Sequence, residues 1–351
     1  MKKYLFLSAV VALTLAGCAS QEEFDNSLEM TFNAFSLKSQ SKALIPTTGL
    51  YPKTETFGVF ANYLEDKKTW DADYADAIPY FNDEIKYQSS RNPQVWAADK
   101  KYYWPAVGSV TFFAYSPFSV SANYETGKGI TLSDYAVDQD EDFMVAAPAK
   151  NKTMNDNTGV TGVDIVFGHK LSLVDFKIKT KEDYSTDGWT IKVKEIKLSN
   201  IYSQGDYQQI TATETVKDVW SDQSELTSYT FTADDAATGG QEATSTAAVY
   251  KSTWRSGTES DALLALPQVI EVNAPNTAKL TVTYTLTQKI GSTTVYENAV
   301  KTKTVDLSNE TINEWKVNKK YIYTIIIALD EILFDPSVAN WEDPVEDDVE
   351  L

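Results

Sequence analysis

Two runs limit this chain to a sheet protein: Thr190-Ile-Lys-Val-Lys-Glu-Ile-Lys-Leu198 and Leu280-Thr-Val-Thr-Tyr-Thr-Leu286 alternate apolar and polar side chains. A period of two sends one set of side chains to each face of an extended backbone. Each run therefore predicts an antiparallel strand with one face in a core and one in water. Blocks of the same kind recur at 57–61, 110–115, 143–146, 163–167, 171–178, 229–232, 294–305 and 321–329, separated by Asn, Asp, Pro or Gly. The aromatic content, 20 Tyr and 15 Phe, is strand composition, and no long Leu/Ala/Glu/Lys stretch suggests a helix. The expectation is an all-β chain.

Its amino terminus is a different kind of segment. Lys2 and Lys3 precede an apolar run from Tyr4 to Ala16, the layout of a secretory signal peptide over 1–17. The run ends in Leu15-Ala16-Gly17-Cys18, which resembles the lipobox of bacterial lipoproteins and makes Cys18 the expected lipidated first residue. Cys18 is also the only cysteine, so the chain has no internal disulfide. Residues 18–27, with Gln21-Glu-Glu-Phe-Asp25, read as an acidic tether.

Leu28, Met30, Phe32 and Ala34 then alternate with Glu29, Thr31 and Asn33, which marks a first strand with a buried face. Phe35 and Leu37 break the phase and suggest a bulge or a second short strand. Residues 64–83 and 233–247 read as loops, the former with a helical turn. A fresh set of strands begins after His169, which suggests two parts, 28–168 and 169–351.

With 31 Lys and Arg against 50 Asp and Glu, the formal charge of −19 argues against nucleic acid and anionic lipid as partners. The chain has a single histidine and no Gly-x-Ser-x-Gly or His-Glu-x-x-His, so no enzyme activity is expected. Asp138-Gln-Asp-Glu-Asp142 imitates a calcium loop, but Phe143 and Ala149 stand where an EF-hand needs Gly and Glu, and no metal or cofactor is expected. One echo links the two parts: Trp96-Ala-Ala-Asp-Lys-Lys-Tyr102-Tyr-Trp104 and Trp315-Lys-Val-Asn-Lys-Lys-Tyr321-Ile-Tyr323. In both, Asp or Asn before Lys-Lys predicts a turn, followed by aromatics on one strand face.

Taken in order, Tyr102-Tyr-Trp-Pro105, Val110 to Pro117, Asp142-Phe-Met-Val-Ala146, Phe167-Gly-His-Lys-Leu-Ser172, Leu264-Ala-Leu-Pro-Gln268 and Trp315 to Ile327 with Ile332 to Trp341 resemble the fimbrillins of Bacteroides-type bacteria. These are the Mfa-like, type V pilins and accessory fimbrial lipoproteins. The resemblance implies two transthyretin-like antiparallel β-sandwich domains in tandem, outer-membrane export as a lipoprotein, and polymerisation with other fimbrial subunits once a trypsin-like protease removes the first strand. It points to Lys42-Ala43 as the scissile pair, although the commoner pattern has Arg there, and to Ile332–Trp341, with Leu333, Val338 and Trp341, as the donated strand. It leaves open a host or bacterial surface ligand. The competing reading is a surface lipoprotein that binds glycans through exposed aromatics such as Trp70, Trp220 and Trp254.

Overall fold

A computed structural model describes residues 29–36, 49–126, 129–156, 162–211, 216–235, 239–254, 262–270, 277–308, 312–329 and 332–341. Cys18, Leu28, Leu37, Lys42 and Ala43 lie outside these residues. The described chain is all-β, arranged in three sheets.

The nine-stranded sheet is built from residues 32–169. From Ser109–Ser116 it runs through Phe57–Leu64, Ile78–Gln88, Val95–Ala97, the first strand Phe32–Ser36 and Val163–His169 to Met144–Ala146. Met144–Ala146 also pairs back with Ser109–Ser116, at Tyr115↔Val145 and Ser116↔Met144, so the path closes into a ring. Inside it lies an aromatic core of Phe32, Tyr51, Phe57, Trp96, Phe112 and Phe167 with aliphatic neighbours.

The second half is a sandwich. Its seven-stranded sheet is organised on the 22-residue strand Trp189–Ile210, flanked by Lys279–Ile290 and Lys217–Thr232. The facing five-stranded sheet pairs Ser172–Thr180 in parallel with Lys319–Ile327, and the last strand, Ile332–Asn340, is its edge. The alternation seen in sequence becomes the core between these sheets: Ile191, Val193, Ile196, Leu198, Leu280, Val282, Tyr284 and Leu286 are buried. The apolar parity shifts at Lys194-Glu195, where a register irregularity lets one extra residue through and returns Ile196 to the core.

The halves are knitted together. Asn123–Glu125 and Gly129–Ala136 leave the first half to join the long strand of the second, with Gln204↔Ala136 and Tyr207↔Leu132 in register. A cluster from both halves fills the joint, including Trp70, Phe113, Phe143, Leu173, Tyr207, Leu264 and Trp341. Gln139 clips across it, its amide accepting from the Leu264 N–H at 3.0 Å and donating to the Leu264 carbonyl at 2.7 Å.

Several local expectations are corrected. Phe35 marks no bulge: the first strand continues to Ser36 with Phe35 on its half-buried outer face. In the 64–83 stretch the expected helical turn is present, as the short helix Trp70–Asp73 followed by a 3-10 turn, but the loop ends early, at a strand that starts with Ile78. The 233–247 stretch includes a strand, Gln241–Ala243, paired to Ile191–Val193. Of the Trp/Lys-Lys echo, the second copy behaves as expected, with Asn318 left-handed (φ 59°) and Tyr321 and Tyr323 both buried. In the first copy the residues after Lys101 form only an isolated bridge, Tyr103 to Glu29.

Candidate functional site

The first strand is held unequally on its two sides. On one side, Phe32 to Ser36 form a parallel ladder with Val163 to Phe167. On the other, Phe32 alone pairs with Trp96, and Phe35 and Ser36 meet the two-residue strand Gly49–Leu50. Between these contacts a cleft of about 230 Å³ opens along the strand, lined by Asn33, Phe35, Leu50, Lys53, Tyr87 and Gln94 among others. The ring thus has a seam beside its first strand.

The strand's inner face is nonetheless core. Met30, Phe32 and Ala34 are 3%, 2% and 3% exposed. Phe32 meets Phe112 and Phe57 edge to face, at centroid distances of 5.4 and 6.4 Å. Burial of the Met30 and Phe32 side chains stabilises the closed ring by on the order of 5 kcal/mol. The parallel ladder demands a glycine: a Cβ on Gly162 would stand 2.2 Å from the Thr31 carbonyl, so only Gly lets the two backbones meet. Asn33 on the outer face donates to the Gly162 carbonyl at 3.1 Å and to Asp164 at 2.9 Å.

An ionic clamp fixes the strand's beginning. The Glu29 carboxylate, buried although sequence alternation places it on the outer face, receives the Arg91 guanidinium at 2.6 Å and Lys101 at 3.5 Å. A charge so enclosed is tolerable only with such partners. Neither this clamp nor Gly162 was apparent in the sequence as a site. The only signal was a lone glycine opening the Val163 run. Nearby, burial pushes the Tyr51 hydroxyl up to about 12, and it bonds with the Ser116 hydroxyl at 2.7 Å.

The last strand lies far from the first in sequence and occupies an open edge. All nine residues from Ile332 to Asn340 pair antiparallel with Lys319–Ile327. Leu333 and Val338 are exposed, at 42% and 49%, and Pro336 offers no N–H to its ladder. Trp341 is buried in the joint between the halves, stacked on His169 with centroids 4.1 Å apart and rings 3° from parallel. His169 Nδ1 contacts the Asp142 carboxylate. The one histidine is thus a structural bridge, and the structure does not bring the two candidate strands together.

Of the three candidate glycan-stacking tryptophans, Trp70 is buried, whereas Trp220 and Trp254 are half-buried and packed against the cores. Trp70 is 1% exposed and packs against Phe113 at 5.1 Å. Trp220 is wedged among Tyr135, Phe143 and Tyr207, with its indole N–H on the Lys170 carbonyl at 2.8 Å. Trp254 packs on Tyr229 and Phe231. Polar sequence neighbours carry no sign that Trp70 lies inside a core and that Trp220 and Trp254 pack against one. Among the described residues no group of three or more His, Asp or Glu side chains is placed to hold a metal ion.

The nine-stranded sheet thus closes on itself with a seam beside its first strand, and the last strand forms an edge of the five-stranded sheet. The sequence profile of the fimbrillin-like family matches residues 47–341, and the chain belongs to that family. The fimbrium subunit Fim1C of Phocaeicola vulgatus is 23% identical over 391 aligned positions, which cover 98% of each chain. The fold is similar to that of a crystallised fimbrial protein of Bacteroides vulgatus ATCC 8482, with a TM-score of 0.56 and 18% sequence identity over 89% of this chain and 99% of that one.

Proposed function

We propose that the chain is a structural subunit of a cell-surface fimbria, exported as a lipoprotein through Cys18 and assembled with other fimbrial subunits by strand exchange. It carries out no catalysis on this reading. We read its architecture as two transthyretin-like sandwiches, 28–168 and 169–351. Membership of the fimbrillin-like family and the likeness to a fimbrium subunit support the structural role.

The observation that carries the exchange is the first strand itself: its side chains fill the core, while its backbone has a full ladder on one side only. After cleavage at Lys42-Ala43, departure of this strand would bare the Val163–Phe167 edge and an apolar slot shaped by Phe57, Phe112 and Trp96. An open edge of that kind is a template for an incoming strand. The donor is Ile332–Trp341 of a neighbouring subunit, which must first leave its own edge position and withdraw Trp341 from His169. Mild trypsin on folded protein is the test. A first cut after Lys42, followed by polymer formation, is the expected outcome. Deletion of 332–351 should then abolish polymer while a soluble folded monomer remains, and polymer that still forms contradicts donation.

A further inference from the structure

The second half carries a groove that the fimbrial role does not use. It lies between the 3-10 turn Tyr184–Asp187 and the turn at 244–246, has a volume of about 270 Å³, and is floored by Trp189, Ile191 and Ala243. The strand Ser172–Thr180 starts at the joint between the halves and reaches the groove at Thr180. Nine residues of strand put it roughly 25–30 Å from the joint.

Both walls are fixed. Gly188 is left-handed (φ 75°), and its N–H donates back to the Tyr184 and Ser185 carbonyls. Its backbone lies so close to the strand Lys279–Ile290 that a Cβ would be 1.9 Å from the Lys289 carbonyl oxygen. Lys289 N–H in turn donates to Gly188 at 2.9 Å, and the Gln288 amide to Asp187 at 3.1 Å. On the other side Thr180 N–H donates to the Thr244 carbonyl at 2.6 Å. A ligand would therefore meet walls already in place, with little ordering to oppose binding.

The lining selects a chemistry. Trp189 is half-buried, packed on the core and braced edge to face by Tyr296 at 5.5 Å. Around it stand the hydroxyls of Ser185, Thr244, Ser245 and Thr246 and the carboxylates of Asp183 and Glu242. An indole face takes the C–H face of a sugar ring, while carboxylates and hydroxyls take its O–H groups as acceptors and donors. The lining has no Lys or Arg, and two acids in a chain of net charge −19 disfavour phosphate, sulfate or sialic acid. The volume falls just below the roughly 300–1,000 Å³ of clefts that enclose drug-sized ligands, which suits one sugar ring.

We propose that this groove binds a neutral pyranose, as the terminal unit of a glycan, with Trp189 as stacking platform and Glu242 and the 244–246 hydroxyls as hydrogen-bonding groups. The site would make the second half of the subunit a weak lectin, whatever its mode of assembly. Ligand-observed NMR of the full chain with methyl mannoside, methyl galactoside and methyl N-acetylglucosaminide tests this. Saturable binding of at least one is expected, weakened at least about tenfold in both Trp189→Ala and Glu242→Ala. Glu242 is exposed, so its substitution leaves the fold intact and decides the matter alone if Trp189→Ala fails to fold. No saturable binding of any of the three, binding that survives either substitution in folded protein, or tighter binding of a sialoside overturns the proposal.

Discussion

Replacement of Phe32 by Ala measures how far the first strand holds the first half closed. Phe32 is 2% exposed and touches Phe57 and Phe112 edge to face, in a core that also holds Trp96 and Phe167. Fully buried Phe→Ala changes cost about 3–5 kcal/mol, and the rigid aromatic neighbours leave little room for collapse, so about 4 kcal/mol is expected. Asn33→Ala, one residue away on the outer face, removes two hydrogen bonds of an accessible side chain and should cost about 1 kcal/mol. Urea unfolding followed by tryptophan emission reads both, because Trp96 and Trp104 lie in the same core. With a slope of about 2 kcal/mol per molar urea, Phe32→Ala lowers the midpoint by about 2 M and Asn33→Ala by about 0.5 M. Equal shifts for the two would refute the assignment of inner and outer faces, and with it the slot left by a departing strand.

Alkaline pH should destabilise the first half and the joint: burial pushes the hydroxyls of Tyr51 and Tyr102, and of Tyr115 and Tyr124 at the joint, up to about 12. Unfolded tyrosines ionise near pH 10, so the unfolded state sheds protons that the folded state keeps. Stability is full below about pH 10 and falls between 10 and 12, and tyrosinate absorbance should rise together with unfolding. Titration of every tyrosine near pH 10 in folded protein would contradict this. Trp341→Ala, which empties the stack on His169, should cost about 3–5 kcal/mol and speed hydrogen exchange in Ile332–Asn340 more than in Phe32–Ser36. Equal acceleration in both strands would show that the last strand is not separately releasable. Cys18→Ala should move the protein from the membrane fraction to the soluble one, and continued acylation would refute the lipobox reading.

Strand identity was legible where one face is core and the other is water. Ile191, Val193, Leu280 and Val282 announce themselves by alternation, and so do Met30, Phe32 and Ala34. Pairing was not legible, because it joins residues distant in sequence: the first strand's main partner begins at Val163, and Gly129–Ala136 crosses into the second half's sheet. The outer part of the long hairpin, around 201–210 and 217–228, escaped notice because polar residues hide a strand that lies at the margin of the core. The burial of Trp70, and the packing of Trp220 and Trp254 against the cores, were illegible for the same reason. A lone indole among polar neighbours carries no period, and its burial is decided by elements far away in the chain. The clamp on Glu29 likewise depends on Arg91 and Lys101 folding back over it.

The amino-terminal residue of subunits within assembled fimbriae tests the central claim most directly. Fimbriae sheared from cells and analysed by mass spectrometry should contain this chain beginning at Ala43, without the first strand. Assembled subunits that all begin at a lipidated Cys18 and retain Phe32–Ser36 would contradict assembly by removal of that strand.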